Sequence, residues 1–159
     1  MRKYIEIIVR KSLSFISEQA VSKYSAILTQ FIQFGIVGVS NTLVSYVLNV
    51  LVLLALKNAH VSWDYIAGNI VAFILSVLWS FYWNNKYVFK NNGEKERVWW
   101  KVLLKTYLCY AITGILLNNI LSWLWITRFG MSKYLAPFVN LVISVPLNFF
   151  MNKLWAYQK

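Results

Sequence analysis

Amide and hydroxyl side chains recur at helical spacing inside long apolar stretches of this 159-residue sequence. The polar groups of one stretch are Asn69, Ser76, Ser80 and Asn84. Because a helix turns by 100° per residue, these side chains would lie within about 80° of one another on the same face. In another stretch they recur every four residues, as Asn140, Ser144, Asn148 and Asn152. Two further stretches carry polar, small-residue faces, with Gly35, Gly38, Asn41, Thr42, Ser45 and Asn49 in one and Gly114, Asn118 and Ser122 in the other.

Two interpretations of these polar faces compete. The first is packing, because small residues let helices approach and each interhelical hydrogen bond contributes roughly 0.6–2 kcal/mol in a membrane. The second is a polar groove that holds or passes a hydrophilic group. Four faces this rich in amide and hydroxyl groups exceed what packing requires, and they favour the groove.

The elements that position these residues are predicted to be transmembrane helices. The composition is 59% hydrophobic and 13% charged, which is too few charges to cover a soluble domain. Four charge-free stretches are each close to the roughly 20 residues that cross a bilayer as a helix; they span about 31–56, 65–85, 106–127 and 134–152. We therefore expect an all-α integral membrane protein, with residues 31–159 as a four-helix transmembrane domain and residues 1–30 as an N-terminal cytoplasmic helix.

The distribution of positive charge predicts the orientation. Thirteen Lys and Arg residues lie in the N-terminal segment, the loop between spans two and three, and the C-terminal tail, whereas three lie on the other side. Short basic loops stay in the cytoplasm, so both termini are predicted to be cytoplasmic. The net charge of +11 is then explained by the basic residues of the cytoplasmic side, which set the orientation of the spans and attract anionic lipid. No basic fold or aromatic platform outside the spans supports nucleic-acid binding.

The first residues have the pattern of an amphipathic helix. Its predicted apolar face consists of Ile5, Ile8, Val9, Leu13 and Ile16. The segment lacks the apolar core and cleavage site of a signal peptide, so we expect none to be removed. The pattern is typical of a basic helix in the cytoplasmic headgroup layer; a docking surface for a partner enzyme is the alternative.

The second and fourth spans resemble each other. A displacement of 68 positions places Ser76 on Ser144, Ser80 on Asn148 and Asn84 on Asn152. These two spans run in the same direction when there are four spans. The displacement therefore predicts two similar helical hairpins related by an axis along the membrane normal.

The residue types argue against an enzyme, a metal site or a cofactor. All five acidic residues lie outside the predicted spans, and Glu94 and Glu96 stand in a Lys-rich loop where a solvated charge pair is expected. Cys109 and His60 have no partner of their kind, so neither a disulfide nor a metal site is expected. A proton-coupled exporter would need a carboxylate within a span.

Three motifs resemble those of the GtrA-like membrane proteins. The segment 34–42 (FGIVGVSNT) is similar to that family's first span, 80–89 (SFYWNNKYVF) to the end of its second, and 148–157 (NFFMNKLWAY) to the end of its fourth. The likeness extends over roughly 31–157. Asn85, Tyr87 and Leu154 depart from the family's usual residues, which weakens the expected phosphate contact of the first half.

The resemblance implies movement of a polyprenyl-phosphate-linked sugar to the outer leaflet of a bacterial membrane, for cell-surface polysaccharide or teichoic-acid glycosylation. A membrane glycosyltransferase would be the partner, and a homodimer is possible. The implied sugar path consists of Asn41, Thr42, Ser76, Ser80, Asn84, Asn118, Asn140, Ser144, Asn148 and Asn152, and the implied phosphate contacts are Lys86, Lys153 and Asn85. The alternative is a membrane subunit that recruits or stabilises the glycosyltransferase without transport.

Overall fold

A computed structural model describes residues 2–13, 18–57, 64–90 and 97–158. Helices account for the regular structure of these residues, which include no strand. The chain divides into two compact units, Met1–Lys90 and Asn91–Lys159. Ile16, His60, Glu94 and Glu96 lie outside the described residues.

The first unit contains three α-helices and a π-helical segment. Helix α1 is Arg2–Ser12, α2 is Glu18–Leu56, α3 is Asp64–Trp83, and the segment π1 is Asn84–Val88. Helix α3 begins at Asp64, whose Oδ1 accepts a hydrogen bond from the Tyr65 amide at 2.7 Å and whose charge favours a helix N-terminus. Hydrogen bonds from Trp79 to Ser40 and from Asn49 to Asn69 show that α2 and α3 pack antiparallel.

Helix α1 packs against α2 with part of the apolar face that the sequence predicts. Val9 is buried, as expected for the apolar face, but Ile8 is 64% exposed. Arg10 and Glu6 form an ion pair at 3.2 Å on the exposed side. The region predicted as one helix over 1–30 contains both α1 and the first residues of α2.

The second unit contains one long helix and a shorter one. Helix α4 is Trp99–Tyr110, the segment π2 is Ala111–Leu117, and α5 is Asn118–Arg128; they follow one another without a break. The chain reverses at Gly130, whose φ of 63° only glycine adopts without strain. Helix α6 is Ala136–Met151, and the segment π3, Asn152–Ala156, continues it.

The segments π1 and π3 occupy equivalent positions in the two units. In π1 the Phe89 amide donates to the Asn84 carbonyl at 2.8 Å, and in π3 the Tyr157 amide donates to the Asn152 carbonyl at 2.8 Å. Both bonds reach back five residues, which is the π-helical pattern. The 68-residue displacement seen in the sequence therefore recurs in the backbone, and π-helical turns are often found at functional sites.

Three helical stretches of the described chain are long and apolar enough to cross a membrane: Tyr24–Leu56, Asp64–Val88 and Trp99–Arg128. They show an all-α membrane protein. The stretch formed by α6 and π3, predicted as a fourth span over 134–152, is not among them. Its hydropathy is lowered by Asn140, Asn148, Asn152 and the adjoining Lys153.

Candidate functional site

One face of α3 has a line of buried polar groups that ends at the first residue of π1. Ser76, Ser80 and Asn84 are all buried, as their spacing predicts, and Asn84 is 0% exposed. The Asn84 Nδ2 group donates to Ser80 Oγ at 3.1 Å. Among the described residues, nothing donates a hydrogen bond to Asn84 Oδ1. The first residue of π1 thus presents a buried acceptor that the protein itself leaves unused.

Asn152 repeats this arrangement in the second unit. Its side chain is also 0% exposed, and its Nδ2 group donates to the backbone oxygen of Asn148 at 2.9 Å and to Asn148 Oδ1 at 2.8 Å. Within the described part of the chain, Asn152 Oδ1 has no donor. Because its NH2 group is committed to two oxygens, the free atom of this amide is the carbonyl oxygen.

An unpaired buried carbonyl is costly, by about 1–3 kcal/mol. One such group would be an isolated defect. Asn84 and Asn152 lie at equivalent positions, each opens a π-helical segment, and each leaves the same atom without a partner. A repeated cost of this kind points to a ligand that supplies the missing donors.

Asn140, in contrast, has a saturated side chain. Its Nδ2 group donates to the backbone oxygen of Asn118 at 3.1 Å, to Asn118 Oδ1, and to Ser122 Oγ at 2.7 Å. Its Oδ1 atom accepts from Trp125 Nε1 at 3.0 Å. The structure brings the predicted path residues Asn118 and Asn140 together, but in a network that joins α5 to α6 and needs no ligand.

The remaining residues of the predicted path are less buried. Thr42 is exposed and donates to the Gly38 carbonyl at 3.1 Å. Asn41 is half-buried, but its Oδ1 atom is fully covered and unpartnered in the described chain. Ser144 and Asn148 are half-buried on α6. Asn41 therefore adds a third open acceptor, whereas Thr42 is already bonded to its own helix.

Lys86 lies among aromatic rings at the surface of the first unit. Its Nζ atom is 5.4 Å from the ring centroids of Tyr82 and Tyr87 and 5.6 Å from that of Trp83, distances at which a cation is attracted to the ring face. It also donates to the Tyr82 hydroxyl at 3.2 Å. The neighbouring Asn85 is exposed. Both predicted phosphate contacts of this unit are therefore accessible, and Lys86 is held in place.

The cations of the second unit gather around π3. Lys153 is half-buried, with Nζ 5.6 Å from the Phe149 ring centroid, and desolvation lowers its pKa below the ordinary value for lysine. Lys105 Nζ donates to the backbone oxygen of Trp155 at 3.3 Å. Arg97 lies 5.9 Å from the Tyr157 ring centroid, and burial raises the pKa of that tyrosine. Positive charge therefore adjoins the open amide of Asn152.

The family model for the GtrA/DPMS transmembrane domain matches residues 33–157. The chain belongs to this family. A search of curated proteins returned no match. The match includes most of α2 and every later helix and omits α1. This GtrA/DPMS domain is a membrane protein of glycosylation-related, lipid-linked sugar processes.

Helix α2 contains two buried polar residues that the sequence prediction missed. Thr29 is 2% exposed and Gln33 is 1% exposed, and Thr29 Oγ1 and Gln33 Oε1 are unpartnered among the described residues. A signal for them exists: Ser25, Thr29 and Gln33 recur every four residues in the uncharged stretch after Lys23. The polar face predicted for the first span begins at Gly35 and does not include these three residues.

Proposed function

We propose that this GtrA/DPMS domain moves a polyprenyl-phosphate-linked sugar from the cytoplasmic to the outer leaflet of a bacterial membrane. The sugar would then serve cell-surface polysaccharide or teichoic-acid glycosylation. The observation that carries the proposal concerns Asn84 and Asn152, which occupy equivalent positions next to lysines in the two units. Each is buried, and each has a side-chain oxygen that accepts no hydrogen bond within the described residues. Sugar hydroxyls are the donors that such oxygens accept.

The proposed topology has four membrane-spanning helices with both termini in the cytoplasm. Residues 134–152 would be the fourth span, with Lys153 outside it, since Asn140 is bonded to α5 and Asn152 is buried rather than placed in lipid. The thirteen basic residues of the cytoplasmic side support this orientation. Asn84 and Asn152 would then lie at the cytoplasmic end of the spans, next to Lys86 and Lys153.

The proposed path divides the substrate by chemistry. In the first unit, Lys86 and Asn85 would contact a phosphate and Asn84 would accept a hydrogen bond from a sugar. In the second unit, Lys153 and Asn152 would have the same two roles. The prenyl chain would stay in lipid against exposed apolar side chains. Because the predicted spans contain no carboxylate, movement would be facilitated, or driven by something other than proton binding to a span carboxylate. The glycosyl transfer itself would belong to a partner membrane glycosyltransferase, and this chain would carry no catalytic residue.

The proposal is tested by transbilayer movement in vesicles. Purified protein is reconstituted into liposomes with a fluorescent polyprenyl-phosphate sugar, and the access of an external reagent to the inner-leaflet pool is followed. We expect faster access than in empty liposomes, with the acceleration lost in Asn84→Leu and Asn152→Leu. The matched control is Asn119→Leu, since Asn119 is exposed and its side chain donates to the Ile115 carbonyl of its own helix. No acceleration by folded wild-type protein would refute transport.

A second candidate function is recruitment of the glycosyltransferase without transport. It is favoured by α1, which leaves Tyr4, Ile7 and Ile8 exposed, with Tyr4 at 74%, between basic residues. The headgroup layer would cover the same face. Co-purification with the glycosyltransferase discriminates the two: Ile7→Ser combined with Ile8→Ser abolishes it if α1 is the docking surface and leaves it intact if α1 lies in lipid.

A further inference from the structure

Gln33 lies close to the level of Asn84 within the first unit. Trp79 Nε1 donates to Ser40 Oγ at 3.2 Å, which fixes the register of α2 against α3. Gln33 precedes Ser40 by seven residues and Asn84 follows Trp79 by five, so at 1.5 Å per residue they lie about 10 Å and about 7.5 Å from that bond. Since the helices are antiparallel, both displacements have the same direction.

The same end of the unit is closed by aromatic packing. The Phe34 and Phe89 ring centroids are 6.1 Å apart, which brings the start of the apolar part of α2 beside the end of π1. Gln33 precedes Phe34 and is 1% exposed, and Asn84 is 0% exposed. Both amides are therefore turned into the protein at one level, away from water and lipid.

Both amides expose the same kind of atom. Gln33 Oε1 and Asn84 Oδ1 are carbonyl oxygens that find no donor in the described chain. Two acceptors cannot satisfy each other, so both need a ligand that donates. A sugar hydroxyl can donate such a hydrogen bond. A carboxylate can only accept hydrogen bonds, and it would lose its hydration beside these two oxygens without gaining a donor in return.

We propose that Gln33 and Asn84 form a subsite that selects a neutral sugar over an acidic one. This inference rests on the proposed function and adds to it the class of head group and a specificity-determining residue, Gln33. Hydroxyl groups of the neutral sugar donate to the two amide oxygens, one hydrogen bond to each, and a sugar that has a carboxylate at that place is rejected. The phosphate binds elsewhere, at the cations of the cytoplasmic side.

Among residues 97–158, the described part of the second unit, there is no matching pair of open amides. Lys105 and Trp155 define the register there, so Asn152 lies within one helical turn of Thr106 and Cys109. Thr106 Oγ1 donates to the Val102 carbonyl at 2.8 Å, and Cys109 is a fully buried thiol. Selection by charge is therefore assigned to the first unit.

The test compares two probes that differ only at the sugar. Citronellyl-phosphate glucose and citronellyl-phosphate glucuronate share lipid and phosphate, and the second replaces a CH2OH group by a carboxylate. Their binding to the purified full chain in detergent is measured by isothermal titration calorimetry. We expect the neutral probe to bind at least about tenfold more tightly, since a missing charged or neutral hydrogen bond is worth about that factor.

The variant Gln33→Leu separates recognition from folding. It should weaken the neutral probe about tenfold and reduce the preference, while its thermal unfolding midpoint stays at or above that of the wild type, because an unpaired buried acceptor has been removed. Gln30→Leu, one turn earlier on the same helix and half-buried, should retain wild-type binding. A structural role for Gln33 would instead lower the midpoint and leave the preference unchanged.

Equal affinities of the wild type for the two probes, or an unchanged preference in Gln33→Leu, would overturn the inference. The measurement does not involve movement across a bilayer. A preference for glucose without transport in vesicles would thus refute the proposed transport and retain the subsite. Transport in vesicles without a preference for glucose would support the proposed transport and refute the subsite.

Discussion

Asn140 in the second unit and Asn84 in the first are equally buried, and their side-chain amide oxygens differ in whether they have a hydrogen-bond partner within the described residues. In the second unit, both the nitrogen and the oxygen of the Asn140 side-chain amide form hydrogen bonds, with Asn118, Ser122 and Trp125. In the first unit, Asn84 and Gln33 leave their carbonyl oxygens open in equally buried positions. Asn152 shares the open state with Asn84 although it belongs to the second unit. The comparison shows that a buried amide has to be judged by its partners before it is assigned to packing or to binding.

The largest effect on stability is expected from the removal of the Asn140 amide, whose donors and acceptor are all hydrogen-bonded. Asn140→Leu deletes four hydrogen bonds and leaves Trp125 Nε1 and Asn118 without a partner. We expect a loss of about 2–3 kcal/mol in the free energy of unfolding, measured by denaturant or thermal unfolding in detergent. Asn119→Leu is the control and should change it by less than about 0.5 kcal/mol. A stable Asn140→Leu protein with impaired sugar binding would place Asn140 on the substrate path instead.

A smaller effect on the free energy of unfolding is expected at the hydrogen bond between Asn49 and Asn69 of the first unit. Asn49 Nδ2 donates to Asn69 Oδ1 at 2.9 Å, and a Cβ added to Gly68 would lie 3.0 Å from Asn49 Nδ2. Gly68→Ala should therefore displace Asn49 and lower the unfolding free energy by about 1 kcal/mol.

The matched control is Gly35→Ala on α2, where an added Cβ meets nothing within 4 Å. It should be neutral or slightly stabilising, because alanine is the better helix former. If the two alanine variants unfold alike, the Asn49–Asn69 contact does not hold α2 against α3.

The smallest effect concerns the lysine beside Asn152. Desolvation lowers the pKa of Lys153 in the folded chain, so between the folded and unfolded pKa values the unfolded chain binds more protons. Stability should then rise as the pH increases through that interval. Lys153→Gln should flatten this rise in unfolding experiments at increasing pH, and Lys90→Gln, at an exposed position, should not. The same slope in all three proteins would show that Lys153 is fully solvated.

The sequence predicts the polar faces and the repeat, but not the state of each amide. Helical spacing correctly places Ser76, Ser80 and Asn84 on one buried face. Spacing cannot separate Asn84 from Asn140, because the difference lies in whether Ser122 and Trp125 come within hydrogen-bonding distance. It also gives no sign of π1 and π3, whose extra residue per turn depends on tertiary packing.

Two other differences have simple physical causes. The face of α1 that contacts α2 includes Val9 but not Ile8, since periodicity shows that a helix is amphipathic without showing what covers it. Gln33 was missed because it precedes the motif that begins at Phe34. Gln33 is buried beside the Phe34–Phe89 contact, and its signal in the sequence is the four-residue spacing of Ser25, Thr29 and Gln33.

The central claim is that the open amides serve a head group rather than the fold. Its most direct test is the double variant Asn84→Leu with Asn152→Leu, measured in one preparation for unfolding and for transbilayer movement of polyprenyl-phosphate sugar in liposomes. We predict an unfolding free energy within about 1 kcal/mol of the wild type and movement no faster than in protein-free liposomes. Wild-type movement by a folded double variant, or its failure to fold, would contradict the claim.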